Sequence, residues 1–237
     1  MTNLLIIAFA PVLIIAAYIY YRDKYEKEPL NLLIKALAAG GAIVFPVILV
    51  EQFLSMFLPL FPGIFNAAYH GFIVAGFTEE SFKFLALYLL FWKTNIFNEK
   101  FDGIVYATFV ALGFAGVENA LYVFQYGASV GLTRALTAVP AHAIFGVTMG
   151  FYAGQARFYD KHKKELLKKA VWLPMVLHGI YDTILMTGID WLLIFWFGFI
   201  VYLYLSGLKR IKQLSDQSIY NTDYDLMNKI FREKKES

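Results

Sequence analysis

The chain has 237 residues, of which 59% are hydrophobic, 18% aromatic and only 16% charged, with a net charge of +3 and no cysteine. A soluble domain would carry about 25% charged residues, whereas apolar runs of about 20 residues, long enough to cross a bilayer, recur along most of this chain. A soluble globular class, disulfides and thiolate metal sites are therefore excluded. The runs also lack the alternation of a membrane β-barrel, and no nucleic-acid partner is expected.

The sequence reads as an all-α polytopic membrane protein with about seven transmembrane helices. The first span covers residues 4–21 and ends in Arg22-Asp23-Lys24-Tyr25-Glu26-Lys27-Glu28-Pro29. No basic region precedes it, so a secretory signal peptide is not expected. The second covers 30–54 and is followed by an uncharged turn from Met56 to Gly63. The third, 64–92, holds Gly76-Phe77-Thr78-Glu79-Glu80-Ser81-Phe82-Lys83 in its interior. The fourth begins near Asp102, a carboxylate placed to cap its helix, and runs to about 124. A loop with Gly and Ser, 125–133, leads to the fifth span, 135–156. A basic stretch, 157–169, precedes the sixth, 170–187, and Gly188-Ile189-Asp190 turns into the seventh, 191–208.

Residues 1–208 thus form one transmembrane domain, and 209–237 a polar cytoplasmic tail. Eighteen of the 21 Lys and Arg lie in alternate connecting segments; the exceptions are Arg134 and the intra-span Lys35 and Lys83. The positive-inside rule then puts the N-terminus outside and the C-terminus in the cytoplasm.

An ionised residue at the centre of a membrane helix costs roughly 2.5–3.5 kcal/mol on insertion scales, so intramembrane charges are read as functional by default. Span 3 has Glu79, Glu80 and Lys83; span 4 has Glu118 and Asn119; span 5 has His142; span 6 has His178 and Asp182. At 1.5 Å per residue these lie at similar depth: Glu118 roughly 12 Å, His142 about 10 Å, Asp182 about 8 Å and His178 about 14 Å below the outer ends of their spans. Glu79–Lys83 and His178–Asp182 are i,i+4 pairs, and His142 shares a face with Gly146, Gly150 and Gly154, which permit close helix approach.

Plainer readings exist. Glu79–Lys83 alone could be a structural ion pair, Glu118 and Asn119 could simply join helices, and a lone intramembrane His is more often packing. Two His at matching depth beside two Glu reverse that judgement. Glu51, His70 and Lys35 lie nearer span ends, where side chains snorkel, and receive no role.

Two acids and two imidazoles without Cys point to activation of water rather than a covalent nucleophile. In one route Glu80, His142 and His178 hold one Zn²⁺, with the remaining Glu as base. The other route needs no metal: a Glu works with His142 on water, and His178 and Asp182 stabilise the oxyanion.

Glu79-Glu80-x-x-Lys83, Phe101-Asp102-Gly103-Ile104-Val105-Tyr106, Gly113-Phe114-Ala115-x-x-Glu118-Asn119, His142 with its glycine row and Leu177-His178-x-x-x-Asp182 together resemble the PrsW family of intramembrane proteases. The order is also similar to that of CAAX prenyl endopeptidases and bacteriocin-processing relatives. The resemblance implies a multi-pass enzyme of the bacterial cell membrane that makes the first cut in a single-pass, membrane-anchored anti-sigma factor during a stress response. It implies Glu79, Glu80, His142 and His178 as catalytic residues and Lys83, Glu118, Asn119 and Asp182 as supporting ones. The alternatives are a CAAX-type or bacteriocin-processing protease and a proton-coupled transporter using the same acids.

Overall fold

A computed structural model describes residues 2–221, and all of the regular structure in them is helical. Five segments are long and apolar enough to cross a membrane: Asn3–Arg22, Leu30–Leu60, Phe101–Tyr126, Ala128–Phe158 and Leu192–Asp216. The outward faces of the peripheral helices carry Leu13, Ile14, Ile34, Phe45, Ile194 and Phe197, all exposed. Large apolar residues outside and ionisable ones inside suit a lipid surround.

Helices α1 (Thr2–Arg22) and α2 (Leu30–Ser55) are joined by the acidic turn that ends at Pro29. The third expected span is one continuous rod of mixed pitch. It comprises α3 (Ile64–Tyr69), a π-helical stretch His70–Phe77, α4 (Thr78–Leu87) and a second π-helical stretch Tyr88–Trp92. Helices α5 (Phe101–Tyr126), α6 (Ala128–Leu136), α7 (Ala138–Phe158), α8 (Lys163–Met186) and α9 (Leu192–Asp216) complete the chain.

Buried along most of its length, α5 packs against α1, α2 and α7. The glycine row of α7 makes one of the close backbone approaches among these. A Cβ at Gly150 would lie 2.1 Å from the Gly103 carbonyl oxygen of α5, so only glycine lets the two backbones meet. That contact sets His142, two turns earlier on α7, beside the polar part of α5.

Two expectations change. The loop expected over 125–133 contains α6, because Gly131 serves packing rather than a turn: a Cβ there would meet Val123 Cγ2 at 2.4 Å. The boundary at 208 falls inside α9, which continues because Ile211, Leu214 and Ser215 are buried against the body, with Ser215 donating to the Arg22 carbonyl at 3.2 Å. Residues 222–237 of the expected tail lie outside the described residues.

Candidate active site

Local structure brings the polar residues of four spans to one place. In α4, Glu79, Glu80 and Lys83 lie on the face turned toward α8 and α7, and all three are buried. The π-helical stretch before them packs on α8 through Gly71 and Gly76, whose added Cβ atoms would meet Thr183 Oγ1 at 2.6 Å and the Met175 carbonyl at 2.9 Å. Wide helical turns of this kind are frequent at functional sites.

The Lys83 ammonium donates to Glu79 Oε2 at 2.9 Å, to Glu80 Oε1 at 2.8 Å and to His142 Nδ1 at 3.1 Å. It also lies 4.2 Å from the centroid of the Phe114 ring. The expected i,i+4 pair is therefore one side of a larger cage in which a single cation serves two carboxylates. Burial of an unpaired carboxylate is costly, and Lys83 offsets that cost here.

Each imidazole is held on its far side by its own carboxylate. His142 Nε2 lies 2.9 Å from Glu118 Oε2, and His178 Nε2 lies 3.3 Å from Asp182 Oδ2. Both rings thus turn Nδ1 toward the glutamate pair, with His178 Nδ1 3.0 Å from Glu80 Oε1. Carboxylate–imidazole pairs of this type fix the tautomer and orientation of metal-binding histidines. Phe145 stacks on His178 at 4.9 Å between ring centroids, restricting the ring further.

One ligand atom each from Glu79, Glu80, His142 and His178 lie within 4.8 Å of one another. Glu80 Oε2 is buried and has no hydrogen-bond partner among the described residues. If Asp182 accepts from Nε2–H of His178, the Nδ1 lone pair faces the Glu80 carboxylate, acceptor against acceptor. A proton or a metal ion relieves that contact. Two imidazole nitrogens and two carboxylates are a donor set that suits zinc.

The cluster opens on a cavity of about 300 Å³, which Glu79, His142 and His178 line and Glu80 does not. Glu51 and His70, left without a role in the sequence reading, also border it. So does Arg134, whose Nη2 lies 2.7 Å from Glu118 Oε2. Its position as the one basic residue between the fourth and fifth spans was the available signal. Lys35 lies elsewhere, over the Phe91 ring. Asn119 turns away from the cluster, and its Nδ2 donates to the Ala8 carbonyl at 3.1 Å, tying α5 to α1.

Comparison with known proteins gives a concordant result. A family model described as PrsW family intramembrane metalloprotease matches residues 28–206. A relative named Protease PrsW from Clostridioides difficile is 37% identical over 222 residues, covering 91% of this chain and 93% of its own. One of the same name from Halalkalibacterium halodurans is 34% identical over 213 residues, covering 90% and 97%. Another, from Bacillus subtilis, is 35% identical over 206 residues, covering 86% and 92%. No solved structure matches.

Proposed function

The chain belongs to the PrsW family of intramembrane metalloproteases, and from that premise we propose that it makes the first cut in a single-pass, membrane-anchored anti-sigma factor, using a water activated by Glu79. It is a multi-pass protease of the bacterial cell membrane, and the transporter alternative is set aside by that membership. The observation that carries the mechanistic reading is the pair of carboxylate-held imidazoles aimed at two adjacent glutamates.

In this reading Glu80, His142 and His178 would hold one Zn²⁺, with Glu118 and Asp182 orienting the two rings. Such an ion would supply Lewis acidity toward a carbonyl oxygen and toward water. Glu79 lines the cavity and Glu80 does not, which suits Glu79 to the exchange of protons with substrate. It takes a proton as the water oxygen bonds to the carbonyl carbon. It returns that proton to the amide nitrogen as the C–N bond breaks. Lys83 holds both carboxylates in place. The small cavity fits an extended peptide segment better than a helix, so a locally unwound stretch of substrate is the expected form.

One observation favours a metal-free variant of the same chemistry. The Lys83 ammonium already lies among Glu79, Glu80 and His142 Nδ1 and is itself a cation for that donor set. Metal analysis of detergent-purified protein with the His142→Ala and His178→Ala variants separates the two. One zinc per chain, lost in both variants together with cleavage of a co-reconstituted anti-sigma factor, supports the metal route. Cleavage by metal-free protein, unaffected by chelator, overturns it in favour of direct activation by Glu and His.

A further inference from the structure

A second group of acids lies at the opposite end of α5 from the glutamate–histidine cluster. Asp102 and Glu118 are sixteen residues apart on this helix, about 24 Å at 1.5 Å per residue. Asp23, Glu26 and Glu28 come from the α1–α2 turn, Asn98 and Glu99 from the segment before α5, and Asp102 from its first turn. One oxygen each from Glu26, Glu28 and Asp102 lie within 4.8 Å of one another.

The hydrogen bonds of the group share one pattern. Asp23 Oδ2 accepts from the Glu28 N–H at 2.9 Å, while Oδ1 has no partner. Glu26 Oε1 accepts from Asn98 Nδ2 at 3.0 Å, while Oε2 has none. Asp102 Oδ2 accepts from the N–H groups of Asn98 at 2.7 Å and Glu99 at 2.9 Å, while Oδ1 has none. Glu28 accepts from the Tyr106 hydroxyl. The amide oxygen of Asn98 is buried and unpartnered too. Asp23 is 1% exposed and Asp102 is wholly buried. Each of Asp23, Glu26 and Asp102 therefore has one oxygen fixed by a protein donor and the other buried without a partner. A carboxylate with one oxygen anchored by a protein donor and the other free is oriented by that bond and can offer the free oxygen to a metal ion.

No cation of the described residues occupies the group. Among the described residues, no Lys or Arg nitrogen lies within 4 Å of its carboxylates. The nearby lysines are engaged elsewhere: Lys27 with the Tyr20 carbonyl and ring, Lys24 over Tyr25, and Lys100 with the Tyr159 hydroxyl. Asp102 does not cap its helix as expected: Lys100 stands at the N-cap, and the Asp102 carboxylate accepts instead from N–H groups that precede the helix.

We propose that the α1–α2 turn and the start of α5 form a second metal site, for a hard divalent cation, with Glu26, Glu28 and Asp102 as carboxylate ligands. Oxygen-only donors select cations of the Ca²⁺ and Mg²⁺ class over zinc. Three carboxylates beside an amide oxygen favour Ca²⁺, because Mg²⁺ is usually held by one or two carboxylates and keeps several waters. The ion would tie the turn, the segment before α5 and α5 itself into one unit.

The test is calorimetric titration of CaCl₂ and MgCl₂ into the full-length protein, purified in detergent and dialysed into cation-free buffer, with thermal unfolding in parallel. Saturable binding of one Ca²⁺ per chain is expected, with a melting temperature that climbs with the logarithm of cation concentration. Asp102→Asn and Glu26→Gln should each weaken binding at least tenfold, and His178→Ala, at the other cluster, should leave it intact. Glu26 is half-buried, so its variant remains informative if Asp102→Asn fails to fold. Absence of saturable binding by the wild-type chain up to about 10 mM, well above the weakest protein calcium sites, overturns the proposal. So does binding unchanged in both variants, or binding lost only in His178→Ala.

Discussion

Glu118 makes no contact with the glutamate pair, yet it holds the Nε2 side of His142 at 2.9 Å. Glu118→Gln keeps size and an acceptor oxygen for Arg134 but removes the charge that steadies the imidazole. Substitution of a carboxylate behind a metal-binding histidine typically costs 10–100-fold in activity or metal affinity, about 1.4–2.7 kcal/mol at 1.36 kcal/mol per tenfold. The partly open position of Glu118, whose side chain is 19% exposed, places the expectation in the lower half of that range. The assay is initial cleavage rate of a co-reconstituted single-pass substrate, with zinc affinity measured on the same preparation. Rate and metal affinity should fall together, with the melting temperature little changed. Full activity with unchanged affinity would refute the positioning role. Complete inactivation, as for Glu79→Gln, would refute it in the other direction by making Glu118 a direct participant.

Other expectations follow from the same geometry. Glu79→Gln should abolish cleavage while metal content persists, whereas Glu80→Gln should lose both; equal metal content in the two variants would undo the division of roles. Lys83→Met leaves two buried carboxylates without their cation and should destabilise the protein by about 3–5 kcal/mol, read as a fall in melting temperature; a stable variant would show that the acids do not depend on it. Gly150→Ala puts a methyl 2.1 Å from the Gly103 carbonyl oxygen, and should cost about 1–3 kcal/mol and reduce activity by shifting His142. Metal-free protein should lose stability as pH rises. Asp23 is raised to about 6, and Glu28 and Glu99 to about 7, chiefly by burial. Groups raised in the folded state contribute stability that is whole below the ordinary carboxylate range and is lost as pH climbs through about 6 to 7. A flat melting temperature from pH 5 to 8 would contradict this.

The buried glutamate–histidine cluster was legible because charge in an apolar run is expensive wherever it occurs: Glu79, Glu80, His142 and His178 stand out one residue at a time. Their common depth needed only helix rise. Glu51 and Arg134 were harder. Each lies near a span end, where a charged side chain can reach water, so neither carries an energetic signal of its own. Asn119 looked like its neighbour Glu118, but adjacent helix positions point about 100° apart, and it serves the contact with α1 instead. The acids of the α1–α2 turn were least legible. They sit in an ordinary charged loop, and the link from Glu26 to Asn98 spans 72 residues, a separation that no local pattern reports. α6 was missed because glycine signals a turn and a tight packing contact with the same letter.

The irregular winding of residues 70–77 has a consequence for how the chain can change in length. The glutamates follow this stretch directly, and the histidines they meet belong to other helices. Removing one residue from a helix turns everything beyond it by about 100° relative to what came before, enough to swing Glu79 and Glu80 off the shared face. Point substitutions at outward positions such as Ile73 and Phe77, both exposed, alter only the lipid-facing surface. The outward positions of this stretch should therefore accept a wide range of apolar side chains, while the stretch as a whole rejects single-residue insertions and deletions. A deep mutational scan that included both kinds of change would reveal the helix as a phase-setting element.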